Sequence, residues 1–349
     1  MVPDYRAGNP YQQLLAKELE VQGTVVEFDK YPFGFFPLLQ LLRKHKRIDI
    51  LHVHWIAELL RQATWAESSL IYRAKCLLMI VECWLIRLIG KKIIWTIHNK
   101  FAHEQYNRDR ELLFRKCLAK GASRIIVHSK EALEQLERLY GMPLSYKTDV
   151  IFHGNYSSCY PDISETKIAL RKKLSIPKDV IVVGYFGMIR TYKGVETLIQ
   201  AFNEMNTNTD IFLLIAGKVE TEDYVKTLTN SVDSKNVRLI FEFLSDQDLV
   251  NYISVADVVC LPFSDSLTSG STILAMCCNK ALLLPQNAQV FGCVPDNGVH
   301  YFHTQQQLKE TIENLHLEEL QIMGDINFRA SSNMTWEKVA QKTNTAYFN

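Results

Sequence analysis

Short apolar runs alternate along the chain with stretches in which apolar residues recur every three or four positions. In the first half, runs at 25–28, 48–53, 93–97, 124–127 and 150–152 predict strands, and helices are expected at 10–20, 104–120 and 130–140. Pro10 sits where a first helical turn tolerates a missing N–H. A loop-like stretch, residues 6–10, arrives almost at once, so a strand ahead of it is short or missing. Residues 70–89 are rich in Leu, Ile, Cys and Trp, but Arg73, Lys75, Glu82 and Arg87 interrupt them too often for a bilayer core. That segment reads as a largely buried helix.

Between Asn155 and Pro177 the rhythm lapses into turn-like residues and a short helix near 164–174. A second series follows, with strands at 180–185, 211–216, 237–240, 258–261 and 281–284 separated by helices at 195–205, 223–231, 246–255 and 270–278. Strands alternating with helices call for parallel sheets covered on both faces. We therefore expect an α/β protein of two doubly wound domains. The first spans 1–160 plus a tail helix within 333–349, long enough to cross back, and the second spans 161–332. No repeat or low-complexity tract appears.

Composition narrows the class. Of 349 residues, 47% are apolar and 22% charged, which is a folded globular chain rather than a disordered or fibrous one. The net charge of +1 leaves no footprint for nucleic-acid binding. The halves differ, since residues 1–163 hold 23 basic and 17 acidic side chains, a net of +6. Eight cysteines without CxxC or zinc-ligand spacing fit a reducing compartment. The first residues contain no apolar signal-like run, so a cytoplasmic location is expected.

Two segments carry candidate chemistry. In 182–202 an apolar strand ends at Gly187, and Arg190 and Lys193 precede Gly194 and a helix. Cations and the N–H groups of a helix start converging on one spot suit a phosphate, although the same letters also describe an ordinary solvated loop. In 257–276 a strand ends near Leu261, and Thr268, Ser269, Gly270 and Ser271 open a helix with hydroxyls and free amides. Plain N-capping explains one such opening; two in one domain make capping alone a weaker account.

A strand, then Gly187, Arg190, Lys193 and Gly194, then a helix, and some distance on the Pro262 loop and Gly270 helix together resemble the donor half of GT-B glycosyltransferases, especially the family 4-like, bacterial polysaccharide type. The first half agrees through the loop Gly8, Asn9, Pro10 before a helix, the strand ending in Thr96, His98 and Asn99, and echoes at His52, His54, His128 and His153. The resemblance implies two Rossmann-like doubly wound domains facing across a cleft, with a C-terminal helix crossing back. It implies a diphosphate held by Arg190 and Lys193, and by amides of Thr268, Ser269, Gly270 and Ser271, with Gly8, Asn9, Gly187 and Phe243 as further donor contacts. Base recognition would use Glu242, Phe243 and the loop near Phe291 and Gly292. Glu104, His98 and His103 are candidate proton acceptors, and His103, Asn99, His153 and Asn155 candidate sugar or acceptor contacts.

The implied activity is transfer of a sugar from a UDP- or GDP-linked donor to a saccharide or lipid-linked saccharide, in polysaccharide or glycolipid synthesis. One departure stands out: the two glutamates that many retaining members place around the Gly-rich helix correspond here to Ser266 and Leu274. A non-catalytic nucleotide-sugar or glycan binding subunit therefore stays open as an alternative, and an epimerase or phosphorylase is a further one. Asp246 and Asp248 spell the metal-binding pattern of another glycosyltransferase class, but they follow Ser245 and open a helix, so capping explains them and no metal cofactor is expected. The basic run Arg43, Lys44, Lys46, Arg47 and the pair Lys91, Lys92 suit an anionic leaflet, and peripheral association with the inner face of the membrane is expected.

Overall fold

The computed structural model describes residues 1–64, 68–102, 107–205, 210–263 and 266–348. The chain divides into two units, one of residues 1–154, 290–292 and 335–349, the other of 155–289 and 293–334.

The first unit runs α1 (Pro10–Val21), α2 (Pro37–Lys44), β1 (Ile50–Val53), α3 (Ala57–Thr64), α4 (Ser69–Leu88), β2 (Lys92–Thr96), α5 (Arg108–Gly121), β3 (Arg124–Val127), α6 (Lys130–Tyr140) and β4 (Thr148–Val150). Its four strands pair in parallel in the order β1-β2-β3-β4. The parallel order is what makes the strands read as unbroken apolar runs, because helices cover the sheet. The expected strand at 25–28 does not form. That stretch lies extended beside the N-terminal residues, with Asp4 N–H donating to Asp29 O and Asp29 N–H to Met1 O, at 2.9 and 3.3 Å. Ahead of the first helix the described residues form one bridge, Val2 against Val53, and Pro3 has no N–H to extend it. The strand expected at 150–152 ends two residues sooner, at Val150.

Helix α4 overturns the expectation of a largely buried segment. Tyr72, Cys76, Met79, Cys83 and Ile86 are buried, while Leu70, Leu77, Trp84 and Leu88 are exposed. Its apolar residues fall on two faces, and only one of them packs against the rest of unit 1.

The second unit contains α7 (Lys167–Lys173), β5 (Ile181–Phe186), α8 (Val195–Asn203), β6 (Ile211–Ala216), α9 (Glu222–Asn230), β7 (Val237–Ile240), α10 (Asp246–Val255), β8 (Val258–Cys260), α11 (Gly270–Cys277), β9 (Ala281–Pro285), β10 (Val299–Phe302), α12 (Gln305–Glu313) and α13 (Leu317–Ser332). Its six strands are parallel in the order β10-β9-β8-β5-β6-β7. The order reverses between β5 and β8, and such switch points are where open α/β sheets take ligands. The buried carboxylate of Asp257 anchors this sheet, taking Arg171 Nη2 at 2.7 Å and Val182 N–H at 2.8 Å, with Lys167 also paired to it. The last helix, α14 (Trp336–Phe348), belongs to the first unit and packs on α1, where Trp336, Val339, Ala340 and Tyr347 join Tyr11, Leu15 and Leu19 in one core.

Candidate functional site

In the second unit the two turns picked out by sequence lie side by side, because β5 and β8 are neighbours and each runs into one of them. The first turn leaves β5 through Gly187, whose φ of 106° a side chain rarely adopts. It ends at Gly194, φ 70°, which starts α8; a Cβ there would sit 2.3 Å from Pro262 O, so the turn rests directly on the loop after β8. Lys193 Nζ stands 5.1 Å from the centre of the Phe263 ring in that loop. Burial first, and Arg190 second, pull the Lys193 ammonium down to about 8. Arg190 Nε is buried without a hydrogen-bond partner among the described residues, 4.0 Å from Glu220 Oε1. A desolvated ammonium and a guanidinium whose Nε–H makes no hydrogen bond among the described residues suit an anion.

The second turn carries its own donors. Ser269 caps α11, its Oγ accepting from Thr272 N–H at 3.2 Å, and the Thr272 hydroxyl is buried without a hydrogen-bond partner among the described residues. Thr268, Gly270 and Ser271 are half-buried around that helix start, and Ser266 Oγ donates to Thr268 O at 2.6 Å. Leu274 is buried. Phe243, beyond β7, is exposed. Asp246 and Asp248 occupy the first turn of α10, and Ser245 Oγ accepts from Asp248 N–H at 3.1 Å.

The first unit gathers five histidines. His52, His54, His98, His128 and His153 lie on or just beyond β1, β2, β3 and β4, all buried, four of them around Tyr11 and His52 against His54 and Tyr347. His54 Nδ1 is 3.1 Å from His98 Nε2, His98 Nδ1 is 3.2 Å from His128 Nε2, and His128 Nδ1 is 2.9 Å from Ile151 O. A carbonyl only accepts, so neutral His128 carries its proton on Nδ1. Each ring in turn must then donate through Nδ1, which leaves His54 Nε2 a bare lone pair, buried and without a partner among the described residues. Burial holds all five neutral: His128 falls to about 4, His52 and His153 to about 3, and His54 and His98 well below the ordinary range.

The remaining sequence candidates divide. Asn9 caps α1 with its Oδ1 on Tyr11 N–H at 3.0 Å, and Gly8 is exposed just before it. Asn99 is half-buried, its carbonyl held by Arg115 Nη1 at 3.0 Å. Asn155 is buried in the second unit, donating to Ser331 O at 2.9 Å and accepting from Ser157 Oγ at 2.8 Å, so its amide is engaged in holding α13. His103 and Glu104 lie outside the described residues. Phe291 and Gly292, expected near the base, belong to the first unit, where Ser129 Oγ donates to Val290 O. The sequence reading passed over Tyr11, Trp55 and Trp336, whose rings pack against the histidines. Their aromatic character was visible; their convergence was not.

A family model for glycosyl transferases group 1 matches residues 166–322, the stretch that holds both turns. Solved structures of the same architecture include Anabaena HepE in complex with UDP (TM-score 0.69, 15% identity, 94% of this chain and 87% of that one). Sucrose-phosphate synthase from Thermosynechococcus elongatus aligns with TM-score 0.72 and 18% identity, over 97% of this chain and 92% of that one. Residues 166–322 belong to the glycosyl transferases group 1 family, on a GT-B fold. Among curated relatives of this chain, the GDP-mannose:glycolipid 4-beta-D-mannosyltransferase of Xanthomonas campestris is 25% identical over 72% of this chain. The match spans 64% of that relative's length. The D-inositol 3-phosphate glycosyltransferase of Corynebacterium diphtheriae is 22% identical over 97% of this chain and 78% of its own.

Proposed function

We propose that this group 1 protein is a glycosyltransferase that moves a sugar from a nucleoside diphosphate donor onto a saccharide or lipid-linked saccharide, in glycolipid or polysaccharide synthesis on the cytoplasmic side of a membrane. The observation that carries the reading is the pair of adjacent turns at the β5/β8 switch point, with Lys193 desolvated and Arg190 Nε making no hydrogen bond among the described residues beside a helix start. A UDP- or GDP-linked donor fits this chemistry, and the glycolipid mannosyltransferase relative favours GDP-mannose among the donors to be tried first.

In the proposed reaction the bond between the anomeric carbon and the β-phosphate oxygen breaks, and the diphosphate leaves with the electron pair. Arg190, Lys193 and the amides of 268–271 neutralise the charge that develops on it, in a site where desolvation makes each donor worth more than in water. These cations supply what a metal supplies elsewhere, and Asp246 and Asp248 are engaged at a helix start, so we propose metal-independent transfer. The acceptor hydroxyl oxygen attacks the anomeric carbon and gives up its proton; His103 and Glu104 are the candidates to receive it, because both ring nitrogens of His98 are engaged by His54 and His128.

The test is incubation of the full chain with UDP- and GDP-sugars and a bacterial lipid extract. Release of UDP or GDP coupled to a sugar-labelled lipid or glycan is the expected outcome. Donor binding without release or transfer across the set would favour the non-catalytic binding subunit instead.

A further inference from the structure

Helix α4 has two apolar faces, and one of them is left uncovered by the described residues. Leu70, Leu77, Val81, Trp84 and Leu88 form a single stripe along this 20-residue helix, each between 38% and 80% exposed. At 1.5 Å per residue the stripe runs for roughly 30 Å. It does not end at the helix edge. Leu78 leads from it into an apolar cavity of about 190 Å³, walled also by Phe36, Leu59, Met79 and Phe114, and Phe33 and Phe35 of the same lining stand 79% and 72% exposed.

Exposed cations flank this face. Arg73 and Arg87 are exposed on α4 itself. Where α4 ends, Lys91 Nζ pairs with Asp49 Oδ1 at 2.8 Å, and Asp49 closely follows the exposed basic residues Arg43, Lys44, Lys46 and Arg47. Of the described acidic groups, Asp49 pairs with Lys91, Asp29 pairs with Lys44 at 2.7 Å, Glu82 is buried on the covered side accepting from Leu39 N–H at 2.8 Å, and Asp109 is exposed on α5 beside Arg108 and Arg110. Monomeric soluble proteins rarely leave an apolar face this long in water. A second copy of the chain would bring cation against cation, whereas a bilayer with anionic headgroups offers both an apolar boundary and phosphates for the arginines and lysines. Among the described residues no helix is long and apolar enough to cross a membrane, so α4 would lie along it.

We propose that the outward face of α4, with Phe33 and Phe35, lies in the interface of an anionic lipid membrane. The proposal deepens the glycosyltransferase reading by naming the surface on which a lipid-linked acceptor would be met; its test involves no catalysis.

The full chain is floated with phosphatidylcholine vesicles, with and without phosphatidylglycerol. We expect it to float with the anionic vesicles, less so as salt rises. Leu77→Glu with Trp84→Glu should lower the partition about tenfold or more, and Arg43→Gln with Lys46→Gln and Arg47→Gln should remove most of the salt dependence. Should the glutamate variant misfold, quenching of Trp84 fluorescence by brominated lipid, taken as wild type minus Trp84→Phe, gives the same answer. A wild-type chain that stays in solution, or a folded glutamate variant that floats equally well, overturns the proposal. So does a dimer dissolved by that variant without any vesicle binding, which assigns the stripe to a second copy. The thermal shift with UDP or GDP, run on the same samples, separates the two readings: flotation without a nucleotide response supports the membrane face and contradicts the donor site.

Discussion

Lys193 gives the proposed donor site its own pH signature. With the pKa of the free protein's ammonium lowered to about 8 by burial and by Arg190, the group is already losing its proton just above neutrality. A bound diphosphate requires the charged form, so binding above that pH must take up a proton. The affinity for UDP or GDP should be flat below about pH 7.5 and weaken up to about tenfold per pH unit above about pH 8. Calorimetric titrations across that range check this, and Lys193→Arg should flatten the curve because a guanidinium stays charged. The histidines predict a different dependence. His52, His128 and His153 are depressed to about 3, about 4 and about 3 by burial, so between those values and the ordinary histidine range the unfolded chain binds protons that the folded one does not. Their contribution is intact above about pH 6.5 and is lost as pH falls, at roughly 1 kcal/mol per histidine per pH unit. Urea unfolding at successive pH values should show stability dropping steeply below about pH 6; a flat profile down to about pH 4.5 would mean these rings charge without cost.

At the scale of elements, the turn between β5 and α8 depends on one residue without a side chain. Gly194 combines a left-handed backbone with a contact to Pro262 O that leaves no room for a Cβ. Gly194→Val should cost on the order of 1–3 kcal/mol in stability and weaken nucleotide binding further by moving Lys193 off the Phe263 loop. A thermal melt and a titration of the same variant separate the two effects. Elements differ in how plainly the chain announces them. Strands β5, β6 and β8 are buried on both faces and appear as unbroken apolar runs, so they fall within a residue or two of expectation. Residues 25–28 carry the same alternation, but whether an extended segment joins a sheet depends on a neighbour with free N–H groups, and Pro3 interrupts that neighbour. The exposure of α4 was hidden for a related reason. An apolar residue in a helix declares that it leaves water, not which surface receives it.

For the molecule as a whole, the two amide-rich turns were legible because their chemistry is local: a glycine, two cations and a run of small hydroxyl residues, each within a few positions of a helix start. Their adjacency was not, since it follows from β8 lying against β5 rather than beside its neighbour in sequence. The histidine cluster shows the same limit. Each ring stands at a strand end that periodicity located, but only the order β1-β2-β3-β4 lines them up so that Ile151 O fixes the protonation of three rings at once. The amide of Asn155, expected to contact sugar or acceptor, is engaged with Ser331 and Ser157, the first of them remote in sequence. The proposed function therefore rests on the part of the site that local sequence specifies best, and its most direct test is calorimetric titration of UDP and GDP into the full chain and into Arg190→Ala with Lys193→Ala. Each lost charge-assisted contact should cost roughly 1.5–3 kcal/mol, so the account predicts saturable binding of at least one of the two nucleotides and a loss of about a hundredfold or more in the double variant, with its melting temperature in the absence of ligand near that of the wild type. Absence of binding by the wild type, or equal affinity in a folded double variant, would contradict it.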